Sequence, residues 1–342
     1  MNLKLEYLDK SNIEESKYID FLKKIHGDNA MHRYENRGKW YSMTNDYHIL
    51  LAILDDKVVG QASYYTIDAV AGNENIKVSW GADTFVLDEA RGKGIGKKLQ
   101  KKLHEDAVNF SSAWYSPING IIKRKCGARE FSKNFFPYYP ISRYLGVFTE
   151  LAIKKLFNKE VKIRLRLPNF YYLVNKKKLS QFTIKEIPNF DNHIEFIQEV
   201  LSNKYDFYVK RNKEYLEWKY FNNPDLKEFH ILEISKDGNT EAILSFSEAK
   251  ERTYLFSKFY GPTILDVFIK NGSEFVEKHV IPVIVEYYKK RKISLDGIIT
   301  IFNLPYFPKL IYPSSGSPLL STYIGEIKNP YISLTDQDME QL

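Results

Sequence analysis

The sequence predicts a mixed α/β (α+β) protein of two successive domains, each a mixed, mostly antiparallel sheet flanked by helices, and three observations carry that expectation. The first is length: 342 residues exceed what a single compact core usually organises. The second is order. In the first half, helical periodicity gives way to paired apolar runs and then returns. The third is recurrence. Arg33 is followed seven residues later by Trp40 and then by Tyr47, His48, Ile49 and Leu50; Arg211 is followed seven residues later by Trp218 and then by Phe229, His230, Ile231 and Leu232. Both blocks continue into two apolar strands around a polar turn, Asp55 to Lys57 and Lys236 to Asn239. Such coincidences in register predict a duplication.

Leu3–Leu8 reads as a strand and Ile13–Ile25 as a helix, followed by a polar, aromatic-dotted stretch from His26 to Tyr47. Tyr47–Leu54 and Val58–Tyr65 form a hairpin. Val78–Val86, rich in β-branched and aromatic residues, is the next strand. Lys97–Val108 carries Leu99, Leu103 and Ala107 at four-residue spacing, one apolar stripe of a helix. Ser112–Tyr115 reads as a short strand, and Ile118–Lys125 as a short helix stopped by Gly127. Tyr144–Phe157 has the apolar pattern of an amphipathic helix. It runs into a basic stretch with Lys159, Lys162, Arg164, Arg166 and Lys176 to Lys178. That stretch reads as a membrane-surface contact or as a solvated interdomain connector, and the balance favours the connector. In the second half, Thr263–Ile269 is the counterpart strand and Gly272–Lys290 the counterpart helix. The expected division is 1–143, a connector 144–178, and 179–342.

Between the Val78–Val86 strand and its helix lies Arg91, Gly92, Lys93, Gly94, Ile95, Gly96, Lys97, Lys98. A glycine-rich turn at a helix N-terminus presents unpaired backbone N–H groups and the positive end of the helix dipole. Glycines let an anion reach the backbone, and Arg91, Lys93 and Lys97 add full charge. The stretch reads as a phosphate cradle. It is not the dinucleotide fingerprint, which would need a third glycine at Lys97. Nor is it the P-loop, for which it has too few spacers and no Ser or Thr. The second half has only Lys270, Asn271, Gly272, Ser273 and Glu274 at the matching place, with one glycine and no arginine.

Composition bounds the rest. Apolar residues at 44% and charged residues at 27% suit a soluble globular protein. Fifty Lys and Arg against 43 Asp and Glu give a net charge of +7, which fits an anionic cofactor without arguing for nucleic acid. Cys126 is the single cysteine, so neither an intrachain disulfide nor a thiolate metal cluster is available. His48 and His230 occupy matching strand positions without a partner cluster, and no metal site is expected. The N-terminus lacks the apolar core of a signal peptide and no run has the length of a membrane span, which leads us to expect a cytoplasmic protein.

The glycine loop resembles the pyrophosphate loop of the GCN5-related N-acetyltransferase (GNAT) superfamily: an Arg or Gln, two residues, a Gly, one residue, then a Gly or Ala. Arg91, Gly94 and Gly96 fill those positions, with Val86 five residues upstream as the apolar strand end. The element order of the first half is also that of the acetyltransferase fold. The whole chain resembles bacterial tandem acetyltransferases in which one half binds coenzyme and the other is degenerate. The resemblance implies acetyl-CoA, or another acyl-CoA, as co-substrate. The backbone of Val86 and Leu87 would pair with pantetheine, and Arg91, Gly92, Lys93, Gly94, Ile95, Gly96 and Lys97 would hold the pyrophosphate. Asn119 or Ser116 would make a further polar contact. It implies direct attack of an amine on the thioester in a ternary complex, the acceptor being a small amine such as an amino sugar or amino acid. Asp83, an ionisable residue in an otherwise apolar strand, stands where some members bind or deprotonate that amine. The tyrosine general acid usual in the superfamily would fall at Lys123; Tyr115 is the nearest tyrosine to that missing acid. The alternative is a non-catalytic protein that keeps the acyl-CoA cradle as a sensor. Cys126 is read as packing.

Overall fold

The computed structural model of the protein describes residues 2–8, 15–44, 46–112, 116–134, 137–141, 144–159, 161, 179–254, 257–273, 278–300, 302, 304, 317–323 and 325–333. The first half runs β1 (Leu3–Tyr7), α1 (Glu15–His26), a π-helical turn (His32–Arg37) entering α2 (Gly38–Ser42), β2 (Tyr47–Leu54), β3 (Lys57–Ala71) and β4 (Glu74–Val86). It continues with α3 (Ile95–Asp106), β5 (Ser111–Ser112), α4 (Pro117–Lys125), β6 (Arg129–Asn134), β7 (Tyr138–Pro140) and α5 (Tyr144–Phe157). In the second half β8 (Thr183–Glu186) and a helix, Ile194–Lys204, lead through β9 (Phe207–Val209) to a short helix, Lys213–Leu216, and another π-helical turn, Glu217–Phe221. Then come β10 (Phe229–Lys236), β11 (Asn239–Ser247), β12 (Lys250–Tyr254), β13 (Ser257–Gly261) and β14 (Ile264–Ile269). A helix, Val280–Lys290, and β15 (Gly297–Ile299), β16 (Ser317–Ser321) and β17 (Pro330–Tyr331) follow.

The largest sheet has the order β1-β2-β3-β4-β5-β16-β6, with β9 also paired to β3 and β17 to β9; a four-stranded sheet has the order β14-β11-β10-β8, and β12 with β13 and β15 with β7 form two-stranded ladders. Pairing is antiparallel except for β4 with β5, β17 with β9, and a parallel bridge between Thr263 and Ile299. The expected mixed, mostly antiparallel sheets with helical flanks are therefore present. Strands also cross between the halves. β16 lies between β5 and β6, while β7 pairs with β15. One apolar cluster, with Trp40, Tyr65 and Trp80 beside Trp218, Phe268 and Tyr331, is shared by both halves.

Several elements differ from expectation, among them the counterpart helix, which begins at Val280 and not at Gly272. The third helix starts at Ile95, two residues before the expected Lys97, because Gly94 at φ 74° already makes the turn that admits it. The stretch from His26 to Tyr47 holds the π-helical turn and α2, since burial of Arg37, Trp40 and Tyr41 outweighs its polar composition. β3 and β4 extend to a turn at Gly72, well past the expected ends. Their far end gains a partner from the second half, with Ala69 opposite Val209 and Ala71 opposite Phe207. No helix among the described residues is long and apolar enough to cross a membrane. The basic stretch 162–178 lies outside the described residues.

Candidate active site

β4 leads directly into the glycine loop. The Leu87 N–H donates to the Val59 carbonyl at 2.9 Å, fixing the strand end, and Asp88–Ala90 makes a single 3-10 turn. Gly92 and Gly94 take left-handed φ values of 79° and 74°, and a Cβ at either would point into open space. The loop thus keeps a side-chain-free face. Gly94 caps α3, and no side chain bonds the first N–H groups of that helix, which point outward. A Cβ on Gly96 would lie 3.7 Å from Val86 Cγ2, so that glycine faces the strand end. Ile95, Leu99 and Leu103 are buried and anchor the helix, while Arg91, Lys93 and Lys97 are exposed. Arg91 bonds the Val86 carbonyl through Nε at 3.3 Å and pairs with Asp88 at 2.7 Å. Leu87 is buried, and Ile95 can offer an anion only its backbone.

β4 and β5 meet at one register pair, Trp80 opposite Ser111, and then part among the described residues. Gly81 is required at this fork: a Cβ there would stand 2.6 Å from Phe110 Cζ and 3.4 Å from Ser112 Cβ. Lys123 reaches the fork from α4. Its ammonium, buried, donates to Ser112 Oγ at 2.7 Å and lies 5.4 Å from the Phe110 ring centre, and burial pushes its pKa down to about 7. Ser116 caps α4, its hydroxyl accepting from the Asn119 N–H at 3.3 Å, which places Asn119 in the first turn, half-buried. Tyr115 lies outside the described residues. Cys126 is half-buried with its thiol pKa raised by burial, the environment of an unreactive cysteine.

Asp83 stands on the other face of β4. Thr84 accepts a hydrogen bond from Gln100 of α3 at 3.1 Å, whereas Phe85 meets the His26 ring at 5.1 Å and Asp83 pairs with Arg33 of the π-helical turn at 3.2 Å. This alternation follows from strand geometry. Asp83 and Arg33 line a cavity of about 680 Å³ between α1, the π-helical turn, α2 and β2–β4, with Tyr18, His26, Tyr41 and Gln61 also in its walls. Its charges are mixed: Glu15, Glu35 and Asp83 face Arg33, Arg37 and Lys39. Desolvation, and then the Arg33 charge, lowers the His26 pKa and favours a neutral imidazole. Burial raises the Tyr18 and Tyr41 pKa values, so both remain hydrogen-bond donors. Of these residues the sequence singled out Asp83, and Tyr41 as a cleft lining or a core residue; Arg33 was visible only as half of the repeat. His26, at the end of a helix, carried no signal. Among the described residues no group of His, Cys, Asp and Glu could hold a metal.

The β4 end thus opens on a glycine-capped helix, with a cavity on its other face. Residues 15–114 match the Acetyltransferase (GNAT) family model. The structure is similar to that of a GCN5-related N-acetyltransferase from Anabaena variabilis, at 13% identity and TM-score 0.58, covering 93% of this chain and 72% of that one. A probable N-acyltransferase from Enterococcus faecalis aligns at 12% identity and TM-score 0.58, over 94% of this chain and 72% of its own. Saccharomyces cerevisiae N-myristoyltransferase with bound myristoyl-CoA aligns at 9% identity and TM-score 0.52, over 95% and 83%. At these identities the likeness is one of fold. No curated protein matches the sequence.

Proposed function

We propose that the protein transfers an acyl group, most simply acetyl, from acyl-CoA to a small amine, with residues 1–143 as the catalytic domain, 144–178 as connector and 179–342 as a degenerate copy that completes the acceptor side. The observation that carries this reading is the pairing of two features on one strand end. The N–H face at Gly92–Lys97 suits a pyrophosphate, and the Asp83 cavity opens on the opposite face of β4. The edge of β4 up to Val86 and Leu87, which among the described residues pairs with β5 only at Trp80, would bond pantetheine. The acceptor would be oriented by Asp83, and neutral His26 in the same cavity would take the proton that its ammonium gives up. Attack on the thioester carbonyl then forms the amide bond as the C–S bond breaks. Lys123, at the fork with a pKa near neutrality, would return a proton to the departing thiolate. The reaction is then one of positioning and proton transfer, without a covalent enzyme intermediate.

The reading is tested by calorimetric titration with acetyl-CoA and by coenzyme A release over an amine library. One site per chain and amine-dependent release are expected; two equivalent sites, or none, would overturn it. Asp83→Asn should leave acetyl-CoA affinity nearly unchanged and lower kcat/KM by about 10²-fold, the scale of a misplaced acceptor. Full retained activity would remove Asp83 from the mechanism.

A further inference from the structure

The Arg33–Asp83 pair has a twin. Arg211 stands to Trp218 as Arg33 stands to Trp40, and each tryptophan donates its indole N–H to the other's carbonyl at 2.7 Å. Ser63 lies opposite Ile49 and Ser245 opposite Ile231, so these serines match in register. Each faces an irregularity in the next strand, and each hydroxyl bonds the backbone of an aspartate: Ser63 to the Asp83 carbonyl at 3.3 Å, Ser245 from the Asp266 N–H at 3.0 Å. Asp266 in turn pairs with Arg211 at 3.6 Å. The same arginine–aspartate pair is therefore built twice on matching strands, with Arg33 supplied from a π-helical turn and Arg211 from the segment before the short helix Lys213–Leu216.

The two copies differ in what covers them. At Asp266 both side chains are 0% exposed, and two phenols close the site: Tyr331 donates to Oδ1 at 2.9 Å and Tyr220 to Oδ2 at 2.6 Å. The Arg211 guanidinium lies 5.5 Å from the Tyr331 ring centre. A buried ion pair is tolerated only when such donors satisfy its remaining lone pairs. At Asp83, Arg33 supplies the side-chain hydrogen bond among the described residues, and the position of Tyr220 is taken by Ser42, an exposed residue at the cavity edge. The first half holds a cavity where the second half holds its own phenols.

We propose that this cavity binds an acceptor carrying a planar ring with a hydroxyl, the hydroxyl donating to Asp83 as the tyrosines donate to Asp266. The inference rests on reading the cavity as the acceptor site. Tyr18, Tyr41 and Tyr47 line it, and Tyr41 and Tyr47 stack at 4.6 Å, giving an aromatic wall for such a ring. A donor hydroxyl satisfies a carboxylate already committed to Arg33, whereas a second carboxylate would be repelled.

The test is equilibrium titration of the full-length protein with tyramine and with phenethylamine, which lacks only the hydroxyl, alongside acetyl-CoA. Tyramine should bind at least about tenfold more tightly, because a buried acceptor built for a hydroxyl is left unpaired by the analogue. Ser42→Tyr, which installs the twin's own phenol, should abolish tyramine binding with acetyl-CoA affinity unchanged. Equal binding of the two amines, no tyramine binding, or undiminished binding in Ser42→Tyr would each overturn the proposal. Should that variant not fold, the two amines on the wild type decide alone. Tyramine binding without acetyl-CoA binding would sink the acyl-transfer reading and leave this one standing.

Discussion

At the scale of residues, the site depends on groups held in states that their surroundings impose. Gly94 sits at φ 74°, where a side chain is strained by about 1–2 kcal/mol. Gly94→Asp should therefore lose modest stability and all measurable acetyl-CoA binding, since it also sets a negative charge against the pyrophosphate. Calorimetry on the folded variant checks this, and retained affinity would move the cradle elsewhere. Lys123 titrates near 7 when folded and near the ordinary lysine value when unfolded. Between those values the unfolded chain holds a proton that the folded chain has released, so stability from this group rises with pH across that window and is lowest at pH 7 and below. Lys123→Met should melt higher than wild type at pH 7, with the gap closing towards pH 10. A gap independent of pH would show that the ammonium is not penalised by burial. The same variant should slow turnover if Lys123 protonates the thiolate.

At the scale of elements, the π-helical turns and the two tryptophans tie the halves together. The Trp40 and Trp218 rings stack at 5.0 Å, with Lys219 between aromatic faces 4.3 to 5.0 Å away and bonded to the Tyr65 hydroxyl at 3.1 Å. Trp218→Phe keeps most of the apolar surface but removes the indole donor from the buried Trp40 carbonyl, which is left with the longer bond from the Met43 N–H at 3.3 Å. It should cost about 0.5–1.5 kcal/mol, read as a fall in denaturant midpoint. Because the Arg33 turn is continuous with α2, acceptor binding should weaken with it. A loss of stability without any change in acceptor binding would separate the interface from the site.

At the scale of the whole molecule, strands exchanged between halves decide what can fold alone. A fragment of residues 1–143 lacks β16, which lies between β5 and β6, and lacks β9 along the far end of β3. It also exposes Trp40, Tyr65 and Trp80 from the shared cluster. Expressed alone it should aggregate or show no cooperative melt, and co-expression with residues 144–342 should restore solubility. A well-folded fragment that binds acetyl-CoA would show that the exchanged strands are dispensable.

The glycine loop was legible from the chain because its determinants are local. A strand, two left-handed glycines and a helix start lie within some twenty consecutive residues, Val78 to Gly96, and backbone geometry needs nothing distant to set them. The repeat of Arg33 and Trp40 at Arg211 and Trp218 was equally legible, since matched spacing survives in a linear string. The Asp83 cavity was not. Asp83 could be singled out as a carboxylate in an apolar strand, but its partner Arg33 lies fifty residues away, and His26 joins them only because α1 folds over β4. Whether a duplicated arginine–aspartate pair is open or closed depends on Tyr331, a residue 65 positions beyond Asp266 brought in by β17. Side chains that meet across such separations are chosen by packing of whole elements, and only the tertiary structure decides that.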